Sequence, residues 1–172
     1  MKIYQSLLFL LAACLFTGCN DEDRFSMDIS ELSDSWWEET ELYIYEKGSD
    51  TWTGKDNIFE GNYVGFTQFF LHFDSAEQIT EYIPVIGYPT GYYRICAFVY
   101  DSDAKTWTTR TETSKDPLVK TIDVTCFTYS CIEFRTDSQS GSTRQVFRRY
   151  TPTEKELQKF ATYLDYNTYE KL

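Results

Sequence analysis

Residues 92–100 (YYRICAFVY) carry the clearest secondary-structure signal in the chain. They are rich in aromatic and β-branched side chains, which favour extended backbone. A run of turn-forming residues follows at 101–104 (DSDA), and residues 105–112 (KTWTTRTE) run back as a second strand. The stretch therefore predicts an antiparallel hairpin, and it points to an all-β fold for the rest of the chain.

Strands of the same kind are predicted on both sides of this hairpin. They number eight, at residues 35–46, 66–74, 77–83, 92–100, 105–112, 118–124, 129–135 and 143–150. Short, regularly spaced strands with turns between most neighbours are typical of a meandering barrel or of a sandwich. We predict an eight-stranded antiparallel up-and-down β-barrel over residues 35–172, with a two-sheet β-sandwich as the alternative.

A helix is predicted after the last strand. Thr151 can cap it, Pro152 suits its first position, and Glu154 stands three residues after the cap. Its apolar stripe, at helical spacing, consists of Leu157, Phe160, Ala161 and Leu164. We therefore predict a helix over residues 152–164 that packs against the outside of the sheet.

Side chains two apart in a strand share a face, so alternation predicts which residues point into the barrel. The predicted interior, which is also the candidate ligand-lining surface, consists of Trp36, Phe69, Leu71, Phe73, Tyr93, Ile95, Val99, Ile132, Phe134 and Phe147. Ala97 belongs to the same set, whereas His72 and Arg94 are predicted to lie outside. So many large side chains indicate a barrel that is nearly filled.

The beginning of the chain predicts export. Lys2 precedes an apolar run at residues 7–16 (LLFLLAACLF), which is too short for a permanent membrane span and is typical of a signal peptide. Residues 16–19 (FTGC) resemble the lipobox of bacterial lipoproteins, with Phe16 where that family usually has Leu. The resemblance implies that residues 1–18 are removed, and that Cys19 carries lipid as the first mature residue.

The residues after this cysteine are acidic. Asp21, Glu22 and Asp23 resemble the surface-export signal of lipoproteins in one phylum of Gram-negative bacteria. The resemblance implies a lipid-anchored protein of the outer membrane, attached through Cys19, that faces the cell exterior. We predict that residues 19–34 form an acidic tether. A plain solvated linker and a periplasm-facing anchor are the alternatives.

A second resemblance extends over roughly residues 32–155. The Trp that opens the first strand (Trp36), the hairpin with residues 98–101 (FVYD) and 105–108 (KTWT), and residues 146–151 (VFRRYT) together resemble small lipocalin-like lipoproteins of the same phylum. Ser35 stands where that family usually has Gly. The resemblance implies an eight-stranded lipocalin-like barrel, and most members of the family have no assigned activity.

Charge and motifs exclude or disfavour several classes of function. The net charge of −11 argues against binding nucleic acid through its phosphates. The single histidine, His72, argues against a histidine metal site or a Ser-His-Asp triad. The sequence has no nucleophile elbow and no phosphate-binding glycine loop. We therefore predict a protein without metal, cofactor or enzymatic activity. A hydrolase built on two carboxylates is the alternative, since such a pair meets only in the fold.

Three cysteines remain once the signal peptide and the lipidated residue are set aside. They are Cys96, Cys126 and Cys131, an odd number, so at most one internal bridge can form. A bridge between Cys126 and Cys131, a bridge from Cys96 to one of them, and three free thiols all stay open.

The aromatic content gives the main indication of function. Aromatic residues make up 18% of the chain, and the predicted barrel interior is largely apolar. Apolar barrel interiors suit lipidic ligands, and aromatic faces near carboxylates suit sugar rings. We predict non-catalytic binding of a small apolar or glycan ligand. The alternative is a solid barrel whose outer face docks a protein partner in the envelope or inhibits a foreign enzyme.

Overall fold

A computed structural model describes residues 21–46, 53–55, 68–85, 90–111, 117–139 and 141–169. Residues 1–20, which include the predicted signal peptide and Cys19, lie outside the described residues. Within the described ranges the elements are α1 (Asp21–Arg24), a 3₁₀ helix (Ile29–Leu32), β1 (Ser35–Glu46), β2 (Thr53–Lys55), β3 (Phe70–Phe73), β4 (Gln78–Pro84), β5 (Gly91–Asp101), β6 (Thr106–Thr111), β7 (Leu118–Thr128), β8 (Cys131–Asp137), β9 (Gly141–Tyr150), α2 (Glu154–Phe160), β10 (Leu164–Asp165) and α3 (Tyr166–Tyr169).

Eight of these strands close into an antiparallel barrel. The order around it is β1-β3-β4-β5-β6-β7-β8-β9, and β9 pairs back with β1. The β5–β6 pairing joins the two halves of the path, so the sheet is continuous and the two-sheet sandwich is wrong. The predicted all-β barrel is confirmed.

Local chemistry sets the turns and bends of the barrel. In the β5–β6 turn the Asp101 carboxylate accepts hydrogen bonds from the backbone N–H groups of Asp103 and Ala104, at 3.0 and 2.8 Å. The register shifts between Glu39 and Glu41 in β1, and again in β7. Such bulges increase local bending and twist, which helps a sheet to close on itself.

Two short strands lie outside the barrel. β2 pairs with the second half of β1, from Leu42 to Ile44. β10 runs parallel to the start of β5, with Leu164 opposite Tyr92 and Asp165 opposite Tyr93. In the described part of the chain β6 pairs with β5 only as far as Cys96, so β10 occupies the stretch of the β5 edge that β6 leaves.

One end of the barrel is filled with aromatic rings and closed by the N-terminal segment. The Phe98 and Trp107 rings stack at 4.4 Å between centroids, and Phe73 meets Trp107 edge-on at 5.6 Å. Leu32 and Met27 are buried in the same core, below these rings. The acidic segment predicted as a tether is therefore partly folded onto the barrel.

The helix α2 packs on the outside of the barrel, as predicted. Its Phe160 is buried in a second cluster, the outer aromatic cluster, whose other members are Trp36, Phe70, Tyr82, Tyr93, Tyr150 and Tyr163. In the described residues no helix is long and apolar enough to cross a membrane.

The predicted limits and cap of this helix are wrong. It spans Glu154–Phe160, and Thr153, not Thr151, forms a capping box with Glu156. The sequence offers the same pattern twice, and the later one sets the start of the helix. Because the helix ends after seven residues, at Phe160, the last two residues of the predicted apolar stripe lie beyond it. Leu157 is 43% exposed, and Leu164 belongs to β10.

Candidate functional site: a cavity in the open half of the barrel

The barrel contains a cavity of about 110 Å³. It lies away from the end that Leu32 and Met27 close, between strands β3 to β9. Its apolar wall consists of Phe69, Leu71, Ile79, Trp107, Leu118, Ile122, Phe134 and Phe147. Its polar wall consists of Glu81, Arg94, Thr109, Thr111, Lys120 and Gln145. The site therefore joins an aromatic and aliphatic wall to a wall of charged and hydrogen-bonding groups.

The side chains of β3, β8 and β9 that were predicted to point into the barrel do point into it. Leu71, Phe73, Ile132, Phe134 and Phe147 are buried in the main core, and Phe69 packs against it. Leu71, Phe134, Phe147 and Phe69 line the cavity, whereas Phe73 and Ile132 do not. That these side chains contact a ligand stays a prediction.

The predicted inner face of β5 is wrong. Ile95 and Val99 are 50% and 68% exposed, and Tyr93 packs in the outer aromatic cluster. Ala97 is exposed with them. The inner face is the opposite one, and it places Cys96 and Phe98 in the core and Arg94 at the cavity. Both faces of β5 are apolar, because one face packs in the main core and Tyr93 on the other face packs in the outer aromatic cluster under α2. Alternation alone therefore does not show which face is the inner one.

Trp36 is also on the outside, contrary to prediction. It stacks on His72 at 4.3 Å and on Phe160 at 5.5 Å. Its neighbour Trp37 is the buried residue, and the Trp37 indole N–H donates a hydrogen bond to Ser35 Oγ at 2.9 Å. His72 lies outside, as predicted, with Nδ1 at 3.0 Å from Asp74 Oδ1.

Arg94 lies in the barrel because a partner on the next strand neutralises it. Arg94 and Glu81 are opposite each other in the β4–β5 register, and Arg94 Nε donates to the Glu81 carboxylate. Burial acts to lower the pKa of Arg94, but the Glu81 carboxylate outweighs it, so the net shift is upward. The guanidinium is therefore charged at any physiological pH.

A buried carboxyl group stands behind the cavity wall. Glu39 is 0% exposed, its Oε1 accepts a hydrogen bond from Gln145 Nε2 at 2.8 Å, and its Oε2 accepts one from the Phe69 backbone N–H at 3.2 Å. Burial raises the pKa of Glu39 to about 7, although both hydrogen bonds favour the charged form. Glu39 is not among the residues predicted from sequence for the site. The sequence does contain a signal for it: Glu38 and Glu39 are adjacent in a strand, so only one of the two side chains can face outward.

Cys96, Cys126 and Cys131 are free thiols in this structure. Cys96 is buried beside Thr111, with Sγ at 2.9 Å from the Thr111 hydroxyl. Cys126 and Cys131 lie near one another at the β7–β8 turn, where Cys126 Sγ is 3.9 Å from the Cys131 carbonyl oxygen. Within the described ranges no group of three or more His, Cys, Asp or Glu residues is placed to hold a metal ion.

Comparison with protein-family models, with curated proteins and with solved structures found no match.

Proposed function

We propose that this protein is a lipid-anchored, lipocalin-like barrel of the bacterial envelope that binds one small, largely apolar molecule without chemical change. The observation that carries the proposal is the cavity of about 110 Å³, with Trp107, Phe134 and Phe147 in its wall. Small-molecule sites are concave and mostly apolar, with a few polar groups that fix orientation. The cavity has this composition.

The volume of the cavity limits the ligand. A dry apolar cavity of about 150 Å³ holds a benzene molecule, so about 110 Å³ accommodates an alkyl chain of a few carbons or part of a single ring. A bulkier ligand has to extend out of the cavity. The apolar wall also favours an apolar group over a glycan, because a sugar ring would bury hydroxyl groups against hydrocarbon.

The anchoring part of the proposal is supported by the resemblance of residues 16–19 to a lipobox and by the acids that follow. Several acyl chains hold a soluble domain durably at a membrane, since each buried CH₂ contributes ~0.8 kcal/mol. Replacing Asp21, Glu22 and Asp23 by Ala tests the outward orientation. We expect the variant to keep its lipid and to resist protease added to intact cells. Equal digestion of both forms would mean that the acids do not direct display.

Filling the cavity tests the binding function. Thr109 faces the cavity from β6, whereas its neighbour Thr108 faces outward and meets the Thr121 hydroxyl at 3.0 Å. We expect benzyl alcohol and n-hexanol to shift the NMR signals of the Trp107 indole in the wild-type protein and in Thr108→Phe, but not in Thr109→Phe. If no small probe, neutral or anionic, perturbs the folded wild-type protein at millimolar concentration, the binding proposal fails.

A second candidate is supported by the outer face of β5 to β7. Ile95, Val99 and Val119 are exposed there. Arg110 of β6 lies between β5 and β7, opposite Val119 in the register. Exposed apolar side chains close together on a sheet are typical of surfaces that contact other proteins. An absence of probe binding by a correctly folded protein would favour this interaction function over the ligand-binding one.

A further inference from the structure

The polar groups of the cavity are distributed unevenly in charge. Two cations, Arg94 and Lys120, face it, and the anion facing it is Glu81. The remaining polar members of the wall are the neutral Thr109, Thr111 and Gln145. Among the side chains that line the cavity, positive charges therefore outnumber negative ones by one.

Several hydrogen-bond donors of these two cations have no acceptor in the described part of the chain. Arg94 gives its Nε–H to Glu81, and within the described residues its two Nη groups have no hydrogen-bond acceptor. Lys120 lies at the solvent-exposed side of the cavity, and in the described part of the chain it has no ion-pair or hydrogen-bond partner. Gln145, by contrast, is engaged by the buried Glu39. The unpaired donor capacity of the cavity therefore lies on Arg94 and Lys120.

We propose that the ligand of this cavity is a small monocarboxylate, whose apolar part contacts Trp107 and Phe134 and whose carboxylate is bound by Arg94 and Lys120. The inference rests on the proposed binding function and adds the chemical class of the ligand. A guanidinium presents its N–H groups in a planar fork that matches a carboxylate, and an ammonium adds a point charge.

The single surplus charge selects a monoanion. A phosphate monoester carries close to two negative charges at neutral pH, so it would leave one charge uncompensated in a partly enclosed space. A neutral alcohol would leave the cationic donors without a charged acceptor. Hydrogen bonds to charged groups contribute more than neutral ones, which predicts an affinity advantage of about tenfold for the acid over the matching alcohol.

The test compares probes that share one apolar group. Benzoate, benzyl alcohol and phenyl phosphate are titrated into the wild-type protein and followed by the Trp107 indole signal in NMR. The variants are Lys120→Met, Lys120→Arg and Arg94→Lys. Lys155→Met, on the exposed surface of α2, is the matched control for loss of one positive charge.

We expect wild type and Lys155→Met to bind benzoate about tenfold more tightly than benzyl alcohol. Lys120→Met should lose most of this preference while its affinity for benzyl alcohol is unchanged, and Lys120→Arg should retain it. Arg94→Lys should keep its ion pair with Glu81 but weaken benzoate binding, because the planar fork is gone. The benzoate affinity of the wild type should also fall with added salt.

The outcomes separate the two proposals. If benzyl alcohol binds and benzoate shows no advantage, or if phenyl phosphate binds better than benzoate, the carboxylate inference is wrong and the binding function stands. If Lys120→Met keeps the full preference, the assignment of Lys120 is wrong. If none of the three probes binds, and neither n-butanol nor butyrate does, the binding function itself fails and the inference falls with it.

Discussion

The side-chain amide of Gln145 donates a hydrogen bond of 2.8 Å to the Glu39 carboxyl group inside the barrel, 106 residues away in sequence. Gln145 thereby joins β9 to β1 at the bulge, and Glu39 in turn satisfies the Phe69 backbone N–H just before β3 begins. A titratable group is thus built into the junction of three strands.

This junction makes the stability depend on pH. Burial raises the pKa of Glu39 from its ordinary 4.5 to about 7, so the folded state holds a proton that the unfolded state releases. The stabilisation is complete below pH 4.5, is lost as the pH rises towards 7, and does not change further above that. At about 1.4 kcal/mol per pH unit, the loss is about 3 kcal/mol.

Glu39→Gln should remove this dependence, since the amide keeps the shape and cannot ionise. We expect the free energy of urea unfolding to fall between pH 5 and pH 8 by about 2.5 kcal/mol less in the variant than in the wild type. Glu77→Gln, at an exposed position, is the control. An unchanged difference between the two pH values in Glu39→Gln would contradict the assignment.

Phe160→Ala should detach α2 from the barrel. The Phe160 ring is stacked on Trp36 at 5.5 Å and meets Tyr82 at 4.8 Å, so its loss should cost about 3 kcal/mol. Leu157→Ala on the exposed side of the same helix should cost less than about 1 kcal/mol. Thermal unfolding monitored by circular dichroism checks both. Equal losses would place the contact elsewhere on the helix.

Phe134→Ala should enlarge the cavity instead of creating a separate void. Phe134 meets Trp107 at 5.5 Å and Phe147 at 5.6 Å, and it also borders the cavity. We expect a loss of about 3 kcal/mol together with new binding of a two-ring probe such as naphthalene. Phe73→Ala, in the packed half, should cost about 5 kcal/mol and gain no probe. If both variants behave alike, the boundary between cavity and core is misplaced.

Cys126 should be the first thiol to react with an alkylating agent at pH 7.5. Contact with the Cys131 thiol lowers the pKa of Cys126 below its ordinary value, and the same contact raises the pKa of Cys131. Burial raises the pKa of Cys96 to about 11. Because the thiolate is the nucleophile, the rate at Cys126 should level off at a lower pH than the rates at the other two thiols.

Peptide mass spectrometry of protein treated with iodoacetamide measures this order. Cys131→Ala should slow the reaction at Cys126 at pH 7.5, since the donor that stabilises the thiolate is removed. Modification of Cys96 or Cys131 before Cys126 would contradict the assignment.

Cys19→Ser should release the protein from the membrane fraction. The lipid would be attached to the cysteine sulfur, and serine has no sulfur atom to which it could be attached. Cys14→Ser, within the predicted signal peptide, is the matched control and should stay membrane-bound. Incorporation of labelled fatty acid into Cys19→Ser would show that the lipidated residue is a different one.

The strands could be predicted from sequence because each carries its own local signal. The β5–β6 hairpin shows this: aromatic and β-branched residues flank a turn that Asp101 fixes through two short-range hydrogen bonds. The faces of β5 could not be predicted, because the position of Arg94 depends on Glu81 in another strand and that of Tyr93 depends on Phe160 in the helix.

The site was predictable only in part for the same reason. Leu71, Phe134 and Phe147 follow from alternation within strands that have one polar face. Glu39 and Arg94 do not, since a charged residue in a strand is assigned to solvent unless its partners are known. Trp36 and Trp37 are identical in type and adjacent, and what separates them is the helix that covers one side of the sheet.

The parallel pairing of β10 with the start of β5 also matters for how copies of this protein meet one another. Without Leu164 and Asp165, the stretch of β5 at Tyr92 and Tyr93 would present unpaired N–H and C=O groups next to aromatic side chains. A free strand edge of that kind is a template for pairing with another chain. Pairing with β10 therefore covers this part of the β5 edge, and we expect that cover to oppose pairing between copies of the protein wherever they are crowded.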